Sequence, residues 1–383
     1  MTRKILQISK YYYPFIGGTE QVARDIINAL KDEDYEQKII CFNEDAQDSE
    51  YICHRKETVH DHVDGVEVIR CGYSIKLFSQ SISLGYAREL KKVMNTFQPD
   101  IVIFHYPNPF VSTLLMKYLK GNCKFVVYYH LDIVKQKYIG KLFHKQTLSL
   151  LEKANIIIST SPNYIEGSQY LSQFKTKCHI IPNCIDTERL QVTPAIEKKA
   201  KQIRENNKDK IICFGIGRHV PYKGMTYLVQ ASQLLDDRFV IYIGGKGPLT
   251  ESLMNDAKND DKVHFLGRID DEDLIAYLKT CDIFCFPSIT KNEAFGIALA
   301  EGMYFGKPAV TFNISGSGVN YVNLDRVTGI ECANKDIEEY AEALIKLGND
   351  KKLREEYGKQ ARQRVEKYFL NVQFKENILT VIK

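Results

Sequence analysis

The chain repeats one pattern twice: short, predominantly apolar segments alternate with segments whose apolar residues recur at helical spacing. In the first half the apolar segments are residues 4–9, 37–42, 66–71, 100–106, 124–130 and 155–160. In the second half they are residues 211–217, 239–245, 262–267, 282–288, 307–312 and 329–333. Apolar strands with helices between them indicate parallel sheets that are covered on both faces. The pattern therefore predicts an α/β protein with two doubly wound domains.

The length of the chain and one polar stretch predict where the two domains meet. A chain of 383 residues is too long for a single hydrophobic core. Residues 195–210 are strongly polar and separate the two repeats of the pattern. We therefore predict an N-terminal Rossmann-like domain over residues 1–195 and a C-terminal one over residues 196–365. The final helical pattern is expected to break or kink at residues 369–371.

The composition argues against several classes of protein. A hydrophobic content of 44% with 26% charged residues is typical of a globular protein, and a net charge of +4 is too weak to indicate nucleic acid as a partner. The N-terminus has no signal-peptide pattern, and no window approaches about 18 consecutive apolar residues. We therefore expect a cytoplasmic protein. Its ten cysteines include no C-x-x-C pair, so we expect buried thiols rather than disulfides or zinc ligands.

Polar and glycine-rich residues follow the predicted strands, where open parallel sheets bind their ligands. Gly17 and Gly18 follow the first strand, where they would let the backbone approach a ligand closely. Thr19 is expected to cap the next helix, whose N-terminus attracts phosphate. A purely structural turn explains these residues equally well. His130 ends another strand, and here too a structural role and a functional role are equally supported.

The loop GRHVPYKG, residues 217–224, follows the first strand of the second half. Arg218 offers a planar fork of donors and Lys223 a point charge, beside the start of a helix. This combination suits a diphosphate. The alternative interpretation is a pair of solvated surface cations.

The segment NEAFGIALAEG, residues 292–302, places two acids around a run of small apolar residues. Glu293 lies in the loop after a strand, and Gly296 is expected to start a helix whose free amides can receive phosphate oxygens. Glu301 follows roughly 8 Å further along the helix axis. One carboxylate could accept hydroxyls from a sugar and the other from a ribose. In the alternative interpretation Glu293 is a first-turn charge and Glu301 lies on a solvated face.

Together these motifs resemble the nucleotide-sugar glycosyltransferases of family 4 (GT4). The resemblance rests on GRHVPYKG, on IPNCID at residues 181–186 and on E-x7-E within NEAFGIALAEG, and it covers essentially the whole chain. It implies the GT-B fold, in which two Rossmann-like domains face a central cleft. In that fold the C-terminal helix, about residues 366–383 here, crosses back to the first domain. Domain closure around the donor is therefore expected.

The resemblance implies roles for residues of the second domain. Arg218 and Lys223 match the cations that hold the donor diphosphate. Glu293 matches the acid that binds the hydroxyls of the transferred sugar. The backbone amides of Phe295 and Gly296 would lie near the sugar and the phosphates.

The resemblance also implies roles for residues further from the diphosphate. Glu301 matches the acid that binds the ribose hydroxyls, and the backbone at Ile269 would lie against the nucleobase. His130 matches a first-domain histidine near the reacting sugar carbon. Gly17 and Gly18 match the loop beside the diphosphate and the acceptor.

The implied reaction is retaining transfer of a hexose-type sugar from a UDP- or GDP-linked donor, without a metal or other cofactor. The implied acceptor is a glycan or a polyprenyl-linked glycan of surface polysaccharide biosynthesis. His130, Arg218, Lys223 and Glu293 would be the catalytic residues. Two alternatives stay open: a nucleotide-sugar epimerase on the same fold, and a non-catalytic subunit that binds sugar nucleotides.

Two positions depart from the family's pattern. Cys184 stands where a glycine is usual, which suggests that the backbone there needs no positive φ. Asn320, in SGSGVNYV at residues 315–322, stands where many relatives carry a glutamate.

Residues 133–151 contain four lysines and no acid, with apolar residues at helical spacing. Such a helix can lie on an anionic membrane surface, so peripheral association with the inner face of the plasma membrane is one expectation. The other is an ordinary helix that packs on the sheet and leaves its lysines in solvent.

Overall fold

The computed structural model describes residues 2–15, 17–44, 56–77, 80–133 and 140–383. The chain forms two compact units. Unit 1 comprises Met1–Thr160, Ser168–Ile181 and Phe374–Lys383. Unit 2 comprises Ser161–Gly167 and Pro182–Gln373. The structure therefore divides the chain at residues 181–182 and 373–374, whereas the sequence predicts limits near residues 195 and 366.

The described residues form strands and helices that alternate along most of the chain. The strands are β1 (Arg3–Ile8), β2 (Tyr35–Phe42), β3 (Val59–Val63), β4 (Val66–Cys71), β5 (Ile75–Leu77), β6 (Gln80–Ile82), β7 (Ile101–Tyr106), β8 (Lys124–Tyr129), β9 (Ile156–Ser159), β10 (Cys178–Ile180), β11 (Ile211–Ile216), β12 (Phe239–Gly244), β13 (Val263–Gly267), β14 (Ile283–Phe286), β15 (Ala309–Phe312) and β16 (Gly329–Cys332). The helices are α1 (Gly18–Ala29), α2 (Leu84–Thr96), α3 (Pro109–Tyr118), α4 (Gly140–Lys153), α5 (Pro162–Gly167), α6 (Pro194–Asn206), α7 (Met225–Ser232), α8 (Thr250–Asp256), α9 (Asp271–Thr280), α10 (Ile297–Tyr304), α11 (Val319–Val322), α12 (Ile337–Asn349), α13 (Lys351–Tyr368) and α14 (Asn371–Ile382).

Each unit is built on one large sheet. Unit 1 has eight strands in the order β10-β9-β8-β7-β1-β2-β4-β3, parallel except for the antiparallel pair β3–β4. Unit 2 has six parallel strands in the order β13-β12-β11-β14-β15-β16. Every apolar segment that was predicted to be a strand contains one. The reason is burial on both faces, since all residues of β7 and of β14 are buried. The prediction of an α/β protein with two Rossmann-like domains is confirmed.

Apart from the antiparallel β3–β4 pair at the edge of the first sheet, the direction of strand order reverses once in each sheet. In unit 1 the reversal lies at β1 and β7, and in unit 2 at β11 and β14. Crevices outside the carboxyl ends of strands at such a reversal are the usual ligand sites of open α/β sheets. The loops that follow β1, β11 and β14 are therefore where a ligand is expected, and they contain most of the residues singled out from the sequence.

The polar stretch at residues 195–210 is not a linker but largely helix α6 of unit 2. Thr193 caps this helix by accepting a hydrogen bond from the amide of Ile196 at 3.3 Å. Ile196 and Ala200 are buried. Arg204 pairs with Asp282 across 3.0 Å. The polar residues belong to the exposed face of an amphipathic helix.

The C-terminal helices follow the prediction. Helix α13 ends at Tyr368 and α14 begins at Asn371, so the predicted break is confirmed. The end of α14 belongs to unit 1, where Arg3 donates a hydrogen bond to the carbonyl of Ile382 at 3.2 Å. Lys375 of α14 pairs with Glu33 at 2.9 Å. The last helix thus returns to the first unit.

The described cysteines are free thiols, and all of them except the partly exposed Cys178 are buried, as expected. Cys184 has no positive φ, as its replacement of the usual glycine suggested. None of the described helices has the length and hydropathy that a membrane span requires.

The predicted basic helix at residues 133–151 is only partly described. Val134, Lys135, Lys137 and Tyr138 lie outside the described residues. Within α4, Thr147 and Leu150 are buried and Lys145 is exposed. Thr147 also lies 2.9 Å from the hydroxyl of Tyr106 on β7. The described part of this segment therefore packs on the sheet, and membrane association stays a prediction.

Candidate active site

Two neighbouring loops of unit 2 carry the predicted cations and the first predicted acid. The loop after β11 ends at Gly224, which has φ 66° and caps α7. A Cβ on Gly224 would lie 1.9 Å from the carbonyl oxygen of Pro287, at the end of β14. The amide of Ile289 donates to the carbonyl of Tyr222 at 3.0 Å. Only glycine fits at residue 224, because both its backbone angle and this close approach exclude a side chain.

Lys223 and Glu293 form an ion pair between these two loops. Their side chains are only 15% and 12% exposed. Ser288 also donates a hydrogen bond to the Glu293 carboxylate at 3.2 Å. Burial lowers the pKa of Lys223 and the Glu293 carboxylate raises it, and the net shift is upward. The loop therefore holds a fixed positive charge at neutral pH. Glu293 lies before the helix, so it is not a first-turn charge.

Arg218 is exposed at the start of the same loop. The charge of Arg218 lowers the pKa of Lys223, although burial and Glu293 influence that pKa more strongly. The next residue, His219, is fully buried with Nδ1 2.9 Å from the hydroxyl of Thr250. The contact between His219 and Thr250 holds the backbone beside Arg218, and Arg218 itself remains exposed.

Helix α10 begins next to Glu293. Gly296 is its N-cap with φ 95°, as predicted from the sequence, and a Cβ there would lie 3.1 Å from the Phe286 ring. Phe295 is buried, with its ring 5.2 Å from that of Phe369. Among the described residues, no side chain caps this end of α10. The first amides of the helix therefore offer a site for an anion.

The loop after β15 supports this helix start, a contact that sequence reasoning missed. The Ser317 hydroxyl donates to the backbone carbonyl of Glu293. A Cβ on Gly318 would lie 1.9 Å from the carbonyl oxygen of Ala294. Asn320 accepts a hydrogen bond from the amide of Ile314 at 2.8 Å and donates one to Phe312 at 3.2 Å. Asn320 thus braces its own loop.

Glu301 is buried, so the interpretation as a solvated acid is wrong. Its carboxylate pairs with the guanidinium of Arg189, which also contacts Asp271 at 2.6 Å. Burial raises the pKa of Glu301 to about 7, although the charge of Arg189 lowers it. Sequence reasoning missed Arg189. An acid within an apolar run signals the need for a nearby cation, but the sequence does not say which one.

Ile269 follows β13, at the carboxyl edge of the sheet. A Cβ on Gly244 would lie 3.3 Å from the side chains of both Ile269 and Ile216. The Ile269 side chain therefore packs across the ends of β11 and β12. Its predicted contact with a nucleobase stays a prediction.

In unit 1, Gly17 and Gly18 mark the start of α1. Neither has a positive φ, so a tight turn is not the reason for two glycines. A Cβ on Gly17 would lie 2.4 Å from Glu20, whereas one on Gly18 would meet nothing within 4 Å. The prediction that Thr19 caps α1 is wrong, because Thr19 lies inside the helix.

His130 directly follows β8 and is 7% exposed. Its Nε2 lies 2.9 Å from Nδ1 of His105, and Nε2 of His105 lies 2.9 Å from Oε1 of Gln7. Burial lowers the pKa of both histidines, that of His105 to about 3. His105 and Gln7 were not singled out from the sequence, because their strands look simply apolar.

The described residues contain no group of three or more histidines, cysteines or acids that could hold a metal ion. What they provide is two cations, the free amides of α10 and the paired acid Glu293, in the loops that follow β11 and β14.

Comparisons with known proteins address the family of this chain. A family model described as glycosyl transferases group 1 matches residues 195–364, and one described as glycosyltransferase family 4 matches residues 16–189. O-antigen chain mannosyltransferase C of Escherichia coli is 29% identical over 96% of this chain and 94% of its own. The D-rhamnosyltransferase WbpZ of Pseudomonas aeruginosa is 30% identical over 96% of this chain and 92% of its own.

Solved structures share the fold at lower sequence identity. A sucrose-phosphate synthase from Thermosynechococcus elongatus superposes with a TM-score of 0.78 at 18% identity, covering 99% of this chain and 98% of its own. HepE from Anabaena, solved in complex with UDP, has a TM-score of 0.77 at 16% identity and covers 99% of both chains. The fold, the matched families and the full-length relatives lead to one conclusion. This chain belongs to the family-4 glycosyltransferases, and its fold is GT-B.

Proposed function

We propose that this glycosyltransferase moves a hexose from a nucleoside-diphosphate sugar, UDP- or GDP-linked, to a glycan or lipid-linked glycan acceptor, with retention of configuration. The observation that carries the proposal is the loop pair at the reversal of the second sheet. There Lys223 pairs with the Glu293 carboxylate, Arg218 lies at the start of the same loop, and the uncapped helix α10 begins shortly after Glu293. Cations, free amides and an acid are the groups that a sugar diphosphate requires.

The leaving group explains the cations. When the bond between the sugar carbon and the phosphate oxygen breaks, negative charge grows on the diphosphate and positive charge on the sugar ring. Preorganised positive groups that face the departing phosphate lower this barrier. Lys223 has three N–H donors, so one can stay with Glu293 while the others face phosphate oxygens. No step requires a metal ion, and we propose that transfer is metal-independent.

The acids account for the two sugars of the donor. Glu293 would accept hydroxyls of the transferred hexose and Glu301 those of the ribose, while Ile269 faces the base. The names of two relatives support a particular configuration of the transferred hexose. One relative is a mannosyltransferase and the other a D-rhamnosyltransferase. D-rhamnose is 6-deoxy-D-mannose, so both sugars have the manno configuration. We therefore propose a manno-configured donor sugar.

The roles of His130, Gly17 and Gly18 in unit 1 complete the proposal. His130 would contact the reacting sugar, and the glycine pair would admit the acceptor or the diphosphate. The open space around Gly18 supports such a role.

The donor is identified with the purified full-length chain and a panel that includes GDP-mannose, UDP-glucose and UDP-galactose. At a hundred times its Kd, a bound donor adds about 2.7 kcal/mol to the free energy of unfolding. Release of nucleoside diphosphate only in the presence of a glycan acceptor supports transfer. Chemical change of the donor without any acceptor supports the epimerase, and binding without any turnover supports the non-catalytic subunit. EDTA is expected to leave the rate unchanged.

The catalytic cations are tested by Lys223→Ala and Arg218→Ala. Each is expected to remove about 2–4 kcal/mol of transition-state stabilisation, a loss of roughly 30- to 1000-fold in rate. Matched controls are Lys210→Ala and Arg238→Ala, which remove one cation each at the opposite, amino-terminal edge of the same sheet. If all four variants fold and transfer sugar at similar rates, the assignment is wrong.

A further inference from the structure

A chain of three buried polar side chains crosses the middle of the sheet in unit 1. Gln7 lies on β1, His105 on the neighbouring β7, and His130 at the end of β8. Gln7 and His105 are each 1% exposed. Their common face follows from the register: Gln7 pairs with Ile103, two residues before His105, and His105 pairs with Tyr128, two residues before His130.

Gln7 sets the direction of the hydrogen bonds that join Gln7, His105 and His130. Its amide nitrogen donates to the carbonyl of Ala23 on α1 at 3.2 Å, so Oε1 must be the atom that faces His105. An amide oxygen only accepts, so Nε2 of His105 carries a proton. In a neutral imidazole the other nitrogen is then a bare acceptor. Nδ1 of His105 therefore accepts from His130, whose Nε2 must carry the donated proton.

The surroundings keep both rings neutral. Tyr128 stacks on His130 at 4.7 Å and on His105 at 5.7 Å, and these aromatic faces replace water on that side. Burial and the mutual repulsion of two charged rings lower the pKa of His130 well below its ordinary value. A neutral His130 with a proton on Nε2 has a bare lone pair on Nδ1.

We infer that Gln7 and His105 are positioning residues that hold His130 in one tautomer, with Nε2 protonated and Nδ1 a permanent hydrogen-bond acceptor. This inference rests on the proposed function for its consequence: Nδ1 accepts a hydrogen bond from a hydroxyl of the donor sugar or of the acceptor glycan. If His130 exchanged between its two tautomers, its Nδ1 would carry a proton for part of the time and could not accept that hydrogen bond.

The tautomer can be measured without any substrate. The protein is labelled with ¹⁵N-histidine, and the ring of His130 is assigned by comparison with His130→Gln. In the wild-type protein at pH 7, Nδ1 of His130 is expected to resonate as an unprotonated nitrogen and Nε2 as a protonated one. A proton on Nδ1, or exchange between the two forms, overturns the inference.

The role of Gln7 is tested by Gln7→Met, which keeps the length of the side chain but removes the acceptor. The matched control is Gln37→Met on β2. Gln37 is also buried and makes the same tie to α1, a 3.2 Å bond to the carbonyl of Ile27, but it contacts neither histidine through any described hydrogen bond. Both variants lose one bond to the helix, and only Gln7→Met is expected to release the tautomer of His130.

In the transfer assay, Gln7→Met is expected to lower kcat/KM by roughly 2- to 12-fold, the range for one hydrogen bond, while Gln37→Met leaves it unchanged. Equal effects of the two variants would show that the loss is merely structural and would refute positioning. An unchanged rate in Gln7→Met, together with a released tautomer, refutes it as well. If the wild-type protein transfers no sugar from any donor, the proposed function fails while the tautomer measurement still decides the inference on His130.

Discussion

Replacing Arg189 by methionine is expected to destabilise unit 2 by an amount that depends on pH. Arg189 is the cation that pairs with Glu301, whose side chain is 7% exposed, while Arg189 itself is 32% exposed. Methionine keeps much of the arginine stem and its packing, but it removes the charge and the donors. Without them Glu301 is a buried carboxyl group that lacks its cation, so it takes up a proton rather than remain ionised.

The magnitude follows from the pKa of Glu301, which is about 7 in the folded protein. At pH 5 the group is protonated with or without Arg189, so the variant loses only a hydrogen bond, about 0.5–1.5 kcal/mol. At pH 8, ionisation of Glu301 beside Arg189 lowers the free energy of the folded wild-type protein by about 1.4 kcal/mol. In the variant the carboxyl group stays protonated, so this stabilisation is lost as well. The total at pH 8 is therefore about 2–3 kcal/mol. This lies just below the 3–5 kcal/mol typical when one partner of a fully buried pair is removed.

The sign can be checked by linkage. The pKa of Glu301 is raised by folding, so its contribution to stability is greatest below its ordinary value and is lost as the pH rises through about 7. In Arg189→Met the folded pKa is higher still, so the loss continues above pH 7.

Urea unfolding at pH 5 and pH 8, followed by circular dichroism, measures both values. The control is Asp271→Asn, which removes the more exposed partner of Arg189 and is expected to cost less than about 1 kcal/mol at either pH. The reasoning is refuted if Arg189→Met costs the same at both pH values, or if Asp271→Asn costs as much.

Three further changes test other parts of the structure. Gly224→Ala is expected to cost about 3 kcal/mol or more, since it adds strain at a positive φ to a collision with Pro287; in thermal unfolding, Gly18→Ala should be neutral or slightly stabilising by comparison. Burial lowers the pKa of His105 to about 3, so this group alone should make stability fall by about 1.4 kcal/mol per pH unit below 6.5, and His105→Gln should reduce the slope in urea titrations by about that amount. Asn320→Asp loses the donor to Phe312 and should cost about 1–3 kcal/mol at pH 7; an unchanged melting temperature would contradict the bracing role.

The strands could be predicted because burial on both faces leaves a simple signal, a run of apolar residues. The missed strands are those at edges or in short hairpins. β3, with the sequence VHDHV, pairs on one side only, and its residues alternate between partly buried and exposed. β10 at the other edge is three residues long and mostly exposed. Half-exposed strands carry polar residues, and their positions depend on a neighbour that the sequence does not identify.

The positions of the candidate site residues could be predicted for a related reason. Loops after parallel strands meet at one edge of the sheet, whatever their separation along the chain. Side-chain partners follow no such rule. Arg189 contacts Glu301 although the two are 112 residues apart in sequence. Gln7 contacts His105 because β1 and β7 are neighbours in the sheet. Those contacts are set by tertiary packing.

The paired acids show what the sequence could not supply. The sequence predicts that Glu293 and Glu301 accept hydrogen bonds from sugar hydroxyls. In the structure each acid already pairs with a cation, Glu293 with Lys223 and Glu301 with Arg189. A buried carboxylate needs such a partner whenever no ligand is bound, because an isolated buried charge is far too costly. The pairing does not block the proposed site, since a carboxylate has about four acceptor positions and each cation occupies only part of them. If a donor binds as proposed, the cations already hold the acids in place, so that binding would require little rearrangement of charge.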